Sequence, residues 1–244
     1  MGAAAAGVAR RADRLTREPD GASYKREWEA LAPAGTVLDI GSGAGAACLP
    51  LAPLAAMVTA VDTDRDMLTL LAERAARTGL DLRTVHGSWP DVAEQVAPAD
   101  VVTCHNVVYN VLDVLPFLTA LTGHARRRVV VELTAAHPLT SLNPLWLHFH
   151  GLLRPTGPTA ADLLAILAEA GVTAGHTEWN RPAEADYAGF AELVDVTRRR
   201  LCLPADRTSE VEAALLGLGS SRERPGDLGS SGRDVVTIWW EGIA

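Results

Sequence analysis

The sequence predicts an α/β fold built on a mostly parallel sheet with helices on both faces, and three observations carry the prediction. Strand-like apolar runs alternate with helical periodicity from Thr36 to Glu132, the pattern of parallel strands joined by right-handed crossovers. The first run empties into a glycine-rich turn, V-L-D-I-G-S-G-A-G over Val37 to Gly45. The second run ends in an acid, Asp62, nineteen positions after Gly43.

Taken in order, residues 1 to 20 read as a flexible leader before a single domain over 21 to 244. Tyr24 to Leu31 is predicted to be an amphipathic helix, with Tyr24, Trp28 and Leu31 at three- and four-residue spacing. Thr36, Val37, Leu38 and Ile40 form a β-branched and aliphatic run suited to a buried parallel strand. Gly41, Gly43 and Gly45 then supply positions without Cβ, where positive φ is free and a ligand can approach the main chain. A helix is expected over Ala46 to Ala56, its N-terminal N–H groups facing the same place, with Pro50 and Pro53 confining it to short pieces. Met57 to Val61 is the second strand. The helix Met67 to Arg77 follows, and Asp64 and Asp66 are placed to cap and charge its first turn. Leu82 to His86, Asp100 to His105 and Arg128 to Leu133 supply strands three to five. Thr159 and Asp162 then form a capping-box pattern before the apolar periodicity of Leu163, Leu164, Ile166 and Leu167. Val172 to Trp179 reads as a sixth strand, Tyr187 to Leu201 and Ser209 to Leu216 as helices, Gly217 to Gly232 as a Gly/Ser-rich loop, and Val235 to Trp240 as a seventh strand.

The glycine spacing separates two cofactor classes. A dinucleotide fingerprint needs G-x-G-x-x-G or a relaxed form, which Gly41 to Ala46 would satisfy. The turn is better written D-x-G-x-G-x-G, with Asp39 two residues before the first glycine. In that form it resembles motif I of the class I S-adenosylmethionine-dependent methyltransferases. The resemblance covers roughly residues 24 to 244, with its specific motifs between Val37 and Val111. It implies a Rossmann-like fold closed by a hairpin-like antiparallel pair of strands, and S-adenosyl-L-methionine as the cofactor. The loop of Gly41, Ser42, Gly43 and Gly45 would wrap the methionine part, with Asp39 serving its amino group. Asp62, with Thr63 beside it, falls at the spacing at which a carboxylate reaches ribose hydroxyls, accepting two hydrogen bonds from a cis-diol.

The turn after the third strand reads Gly87-Ser88-Trp89-Pro90. The resemblance implies an acid there for the adenine amino group; this chain has Ser88, so its hydroxyl or the backbone would make that contact. Trp89 would pack on the ring, or in the core as tryptophans generally do. The fourth strand leads into C-H-N-V-V-Y-N-V over Cys104 to Val111. Methyltransferases of adenine or cytosine amines often carry N-P-P-Y or D-P-P-Y at this point. His105, Asn106 and Tyr109 stand here without the prolines, which weighs against methylation of a base amine.

Charge and composition narrow the partners. A chain of 244 residues that is 48% hydrophobic is ordinary for a globular α/β protein, and no apolar run reaches the length of a membrane span. A formal net charge of −8 argues against a broad phosphate-binding surface. The basic triplets Arg126 to Arg128 and Arg198 to Arg200 read as solvated surface. Cys48, Cys104 and Cys202 are odd in number and widely spaced, which fits reduced cytoplasmic thiols and neither a disulfide frame nor a metal site.

The least ordinary segment is the connection from Thr134 to Pro158, too long to lack a purpose in a compact domain. It gathers His137, Trp146, His148, Phe149, His150 and Arg154, and it resembles the corresponding stretch of an actinobacterial group of methyltransferases. By the family resemblance it would lie over the cofactor's methyl group, as a lid and acceptor pocket together with the Tyr24 to Leu31 helix. An imidazole is a natural base for an oxygen or nitrogen acceptor, so His105, His137, His148 and His150 are candidate bases, with Tyr109 orienting the acceptor. His148 and His150 also alternate as strand ligands would, but without zinc-site partners nearby. The expected function is methyl transfer to a small molecule by in-line displacement. A nicotinamide-dependent oxidoreductase and a non-catalytic S-adenosylmethionine-binding protein are the alternatives.

Overall fold

The computed structural model describes residues 21–181, 187–223 and 234–244. The expected leader over 1–20 and most of the Gly/Ser-rich loop lie outside them. Seven strands form one sheet in the order β3-β2-β1-β4-β5-β7-β6: β1 Gly35–Ile40, β2 Ala55–Asp62, β3 Leu82–His86, β4 Ala99–His105, β5 Ala125–Thr134, β6 Gly175–Asn180 and β7 Asp234–Glu241. Strands β1 to β5 pair in parallel, and β7 runs antiparallel to both β5 and β6. This is the mixed sheet of the Rossmann-like methyltransferase fold.

Strand periodicity sorts the central residues onto two faces. Leu38, Ile40, Val102, Cys104, Val129 and Val131 pack on α3 (Val114–His124) and α5 (Ala160–Glu169) through Phe117, Leu121, Leu163 and Leu167. Val37, Val58, Ala60, Val101 and Val130 pack on the opposite face, beneath Leu31 of α1 (Gly21–Leu31) and Leu68 and Leu71 of α2 (Arg65–Thr78). The near-continuous apolar runs follow from burial on both faces.

Several expectations need correction. No α-helix follows the glycine loop: Leu49–Leu51 form a 3-10 turn, and β2 already begins at Ala55. Pro50 denies the backbone donor that a longer helix needs, and Pro53 follows three residues later. Strands β6 and β7 pair antiparallel as expected, and their connection contains the two expected helices, α6 (Phe190–Arg200) and α7 (Thr208–Gly217). The Thr134 to Pro158 connection is itself largely helical, a 3-10 turn over Pro138–Leu142 running into α4 (Asn143–His150). Leu142 and Leu145 pack there against Phe190, Leu193, Leu201, Val211 and Leu215, so this insert and the β6–β7 insert share a third core. Both insertions sit where a turn would otherwise be, and each buries the apolar stripe of the other. The capping box before α5 is present, with Thr159 and Asp162 bonded reciprocally.

Candidate functional site

The C-terminal ends of β1, β2 and β4 converge on the glycine loop. Gly41 and Ser42 both donate their N–H groups to the Val61 carbonyl, at 2.9 and 3.1 Å, and the Asp62 carboxylate accepts the Gly43 N–H at 2.7 Å. Gly41 has φ +72°, and a Cβ there would lie 2.3 Å from Cγ2 of Val107. At Gly45, φ +89°, a Cβ would lie 2.4 Å from Leu71. These two glycines are therefore demanded by backbone conformation and close packing, whatever the loop binds.

Asp39 lies beneath this loop, 1% exposed, and among the described residues neither carboxylate oxygen has a well-formed hydrogen bond. Burial pushes its carboxyl up to about 7, against the opposing pull of the neighbouring Cys48 thiol and of His105. The Ser42 hydroxyl is likewise buried and without a partner. Orphaned buried acceptors of this kind are costly and call for a donor.

A buried polar cluster adjoins Asp39 where α1 crosses the sheet. Glu27 of α1, 1% exposed, accepts the Thr103 hydroxyl and lies 2.8 Å from Nε2 of His105. Burial alone would lower the His105 pKa, but the Glu27 and Glu132 carboxylates outweigh it and raise it to about 9. Glu132 in turn accepts from Ser23 of α1 at 2.9 Å and from Arg181, and Ser23 lies 2.7 Å from the Thr237 hydroxyl. Asn106, just past β4, holds φ +61° and donates its N–H to the Glu132 carbonyl at 2.8 Å. Asparagine tolerates this left-handed conformation better than most side chains, and it turns the chain sharply into Val107, Val108 and Tyr109.

The structure separates the residues that the sequence grouped. His105 sits at the site as an imidazolium held by Glu27, a form that cannot accept a proton. Tyr109 and His137 are brought together edge to face, ring centroids 4.9 Å apart. Nδ1 of His137 accepts the Leu139 N–H at 3.1 Å, which leaves the proton of the neutral ring on Nε2. His148 and His150 lie on helix α4, not on a strand, so their alternation sets them on different faces. His150 stacks on Trp146 and contacts the Leu201 carbonyl at 2.8 Å, away from the glycine loop. Trp89 is 7% exposed in the core, edge-on to His124, while Ser88 and Thr63 are exposed. Asp64 caps α2, as one reading of it expected.

Glu27, Thr103, Glu132 and Arg181 were not singled out from the sequence, although a signal existed. Glu27 interrupts the stripe of Tyr24, Trp28 and Leu31, and Glu132 interrupts V-V-V-E-L. A charge at a core-facing position is informative because it needs a buried partner.

Comparisons with known proteins point to the same fold. Residues 37–127 match the family model described as a methyltransferase domain, a span from β1 to the start of β5. A ubiquinone biosynthesis O-methyltransferase of Caulobacter vibrioides is 38% identical over 109 residues, 42% of this chain and 42% of that protein. An uncharacterized protein of Haemophilus influenzae is 37% identical over 41% of this chain and 38% of its own length. The chain thus spans about two fifths of the curated relatives it matches. Among solved structures, the YcgJ protein of Bacillus subtilis superposes with a TM-score of 0.57 at 19% identity, covering 91% of this chain and 98% of that one. Magnesium protoporphyrin IX methyltransferase from Synechocystis, solved with bound S-adenosylhomocysteine, superposes with a TM-score of 0.54 at 20% identity over 75% and 80%. These likenesses identify the fold. Among the described residues no helix is long and apolar enough to cross a membrane.

Proposed function

We propose that the protein is a class I methyltransferase that moves a methyl group from S-adenosyl-L-methionine to an oxygen or nitrogen of a small-molecule acceptor. The observation that carries this is the Asp39 carboxylate, buried beneath the glycine loop with no well-formed hydrogen bond and in need of a cationic donor. When bound, S-adenosylmethionine would supply an electrophilic methyl group for in-line displacement, its sulfonium leaving as the neutral thioether of S-adenosylhomocysteine while the acceptor's proton passes to solvent. Asp39 and Ser42 would hold its amino-acid end, and the loop from Gly41 to Gly45 its backbone-facing side. Asp62 keeps the loop in shape and, with free lone pairs, serves the ribose. Ser88 and Thr63 lie exposed near the adenosine end of the strands.

The chain's own residues chiefly orient the acceptor and exclude water. Tyr109 and His137 are the proposed orienting pair. His105, held charged, contributes a fixed positive charge rather than a base, and His148 and His150 have no part in this step. A small acceptor is favoured over nucleic acid, because four of the six arginines of the two triplets are engaged in ion pairs: Arg127 with Asp100, Arg128 with Glu241, and Arg198 and Arg199 with Asp195. Oxygen is favoured by the O-methyltransferase relative, and the actinobacterial kinship and a cytoplasmic location are part of the same proposal.

Titration calorimetry tests it directly. S-adenosylmethionine and S-adenosylhomocysteine should bind, and nicotinamide dinucleotides should not. Binding of the dinucleotide alone would replace this reading with the oxidoreductase one.

A further inference from the structure

Tyr109 belongs to a groove that lies one residue from the glycine loop. The Val107 side chain covers Gly41, and the next residue, Val108, lines the groove with Leu133. One wall is the 3-10 turn Val108–Asn110 and the start of α3; the other is the first turns of α5, from Pro158 to Ile166. The space within it is about 120 Å³, or about 510 Å³ with open solvent included, so a bound molecule would stay partly in solvent. Only the two ends of the Thr134 to Pro158 insert line it. Its middle is packed into the third core.

The chemistry of the lining is one-sided. Valine, leucine, isoleucine, proline and alanine dominate, and among the described residues no lysine, arginine or histidine contributes. Among the described residues Asp162 is the sole charged one of the lining, and its carboxylate is already engaged by the Thr159 hydroxyl and N–H at 2.8 and 2.7 Å. An anionic acceptor would lose its hydration here and meet a carboxylate in return. At the rim, Leu112 is fully exposed, an apolar side chain with nothing of the described chain against it.

We propose that this groove binds the acceptor and that the acceptor is an uncharged, largely aromatic or hydrocarbon molecule carrying one hydroxyl, placed at the Tyr109 end. The proposal rests on the methyl-transfer reading for the role of the bound molecule, but the binding itself can be measured without turnover.

The test compares 2-naphthol with 2-naphthol-6-sulfonate by calorimetry on the full chain and its Leu112→Arg variant, with S-adenosylhomocysteine titrated into each. Leu112 is exposed, so its replacement spares the core. The wild type should bind the neutral naphthol at least tenfold more tightly than the sulfonate. The arginine should weaken naphthol about tenfold, the scale of one apolar contact, and strengthen the sulfonate, with S-adenosylhomocysteine affinity unchanged. Equal binding of the two naphthols by the wild type, or naphthol affinity indifferent to Leu112→Arg, would overturn the groove assignment. So would light scattering that finds a wild-type dimer dissociated by the arginine, which would make the groove a contact between copies. Naphthol discrimination without any S-adenosylhomocysteine binding would uphold the groove and overturn methyl transfer; the reverse result would do the opposite.

Discussion

The Asp62 carboxylate spans from β2 to the glycine loop, with Oδ2 accepting the Gly43 N–H at 2.7 Å while Oδ1 accepts the Asp64 N–H at 2.8 Å. One side chain thus shapes both the loop and the entry to α2. Asp62→Ala should lower stability by about 1–2 kcal/mol, the scale of two partly exposed hydrogen bonds, and weaken S-adenosylhomocysteine binding. Thermal unfolding and calorimetry measure the two effects separately. An alanine variant that keeps full cofactor affinity would reduce Asp62 to a clamp on the loop.

The Glu27 and His105 pair has a pH signature. The His105 pKa is raised from 6.5 to about 9, so the folded state holds the proton more tightly than the unfolded one. Its stabilisation is fully present below about pH 6.5 and is lost as pH rises through 9, a change of about 3 kcal/mol. Glu27→Gln should flatten that part of the stability curve and cost about 3 kcal/mol at neutral pH, because it leaves a buried charge with a poorer partner. Urea unfolding between pH 6 and 10 reads both. A curve of the same slope in the variant would show that Glu27 does not hold the imidazolium.

Asp39 acts in a lower window. Its pKa is raised from 3.8 to about 7, chiefly by burial, so its contribution is intact below about pH 3.8 and is lost as pH climbs through 7. Asp39→Asn should therefore make the ligand-free protein more stable at pH 8, by about 4 kcal/mol at most, while sharply weakening S-adenosylmethionine binding. The opposite signs distinguish a functional carboxylate from a structural one. A variant destabilised at pH 8 with normal affinity would remove Asp39 from the site.

Gly41 can be tested through its neighbour. Gly41→Ala adds a Cβ at φ +72° and 2.3 Å from Val107, and should destabilise by about 1–2 kcal/mol from the conformation alone, with the clash added. Gly41→Ala with Val107→Ala should recover the clash component but not the conformational one. A double-mutant cycle followed by thermal unfolding reads the coupling. Strict additivity would mean that the two side chains do not meet.

Much of this was legible in the sequence. The runs at Val37 to Ile40, Met57 to Val61 and Arg128 to Leu133 mark their strands because a strand buried on both faces must be apolar throughout. Asp39 and the glycines mark the loop because a backbone at positive φ tolerates few other residues. The helix expected after the loop is reduced to the 3-10 turn Leu49–Leu51 because Pro50 and Pro53 remove two backbone donors within four residues. The two helices between β6 and β7 were legible from their apolar periodicity, and their presence leaves the antiparallel pairing of the strands unchanged.

The order of apolar runs, the glycine loop and the acids at the strand tips are properties of the chain alone, since periodicity and backbone conformation are local. Which side chains meet was decided only by the tertiary structure. Glu27 reaches His105 across 78 positions and Ser23 reaches Glu132 across 109, distances in sequence over which no local pattern acts. The same holds for the histidines, which one stretch of sequence set side by side. Packing placed His137 against Tyr109 and left His148 and His150 exposed on helix α4, whose apolar face is buried in another core.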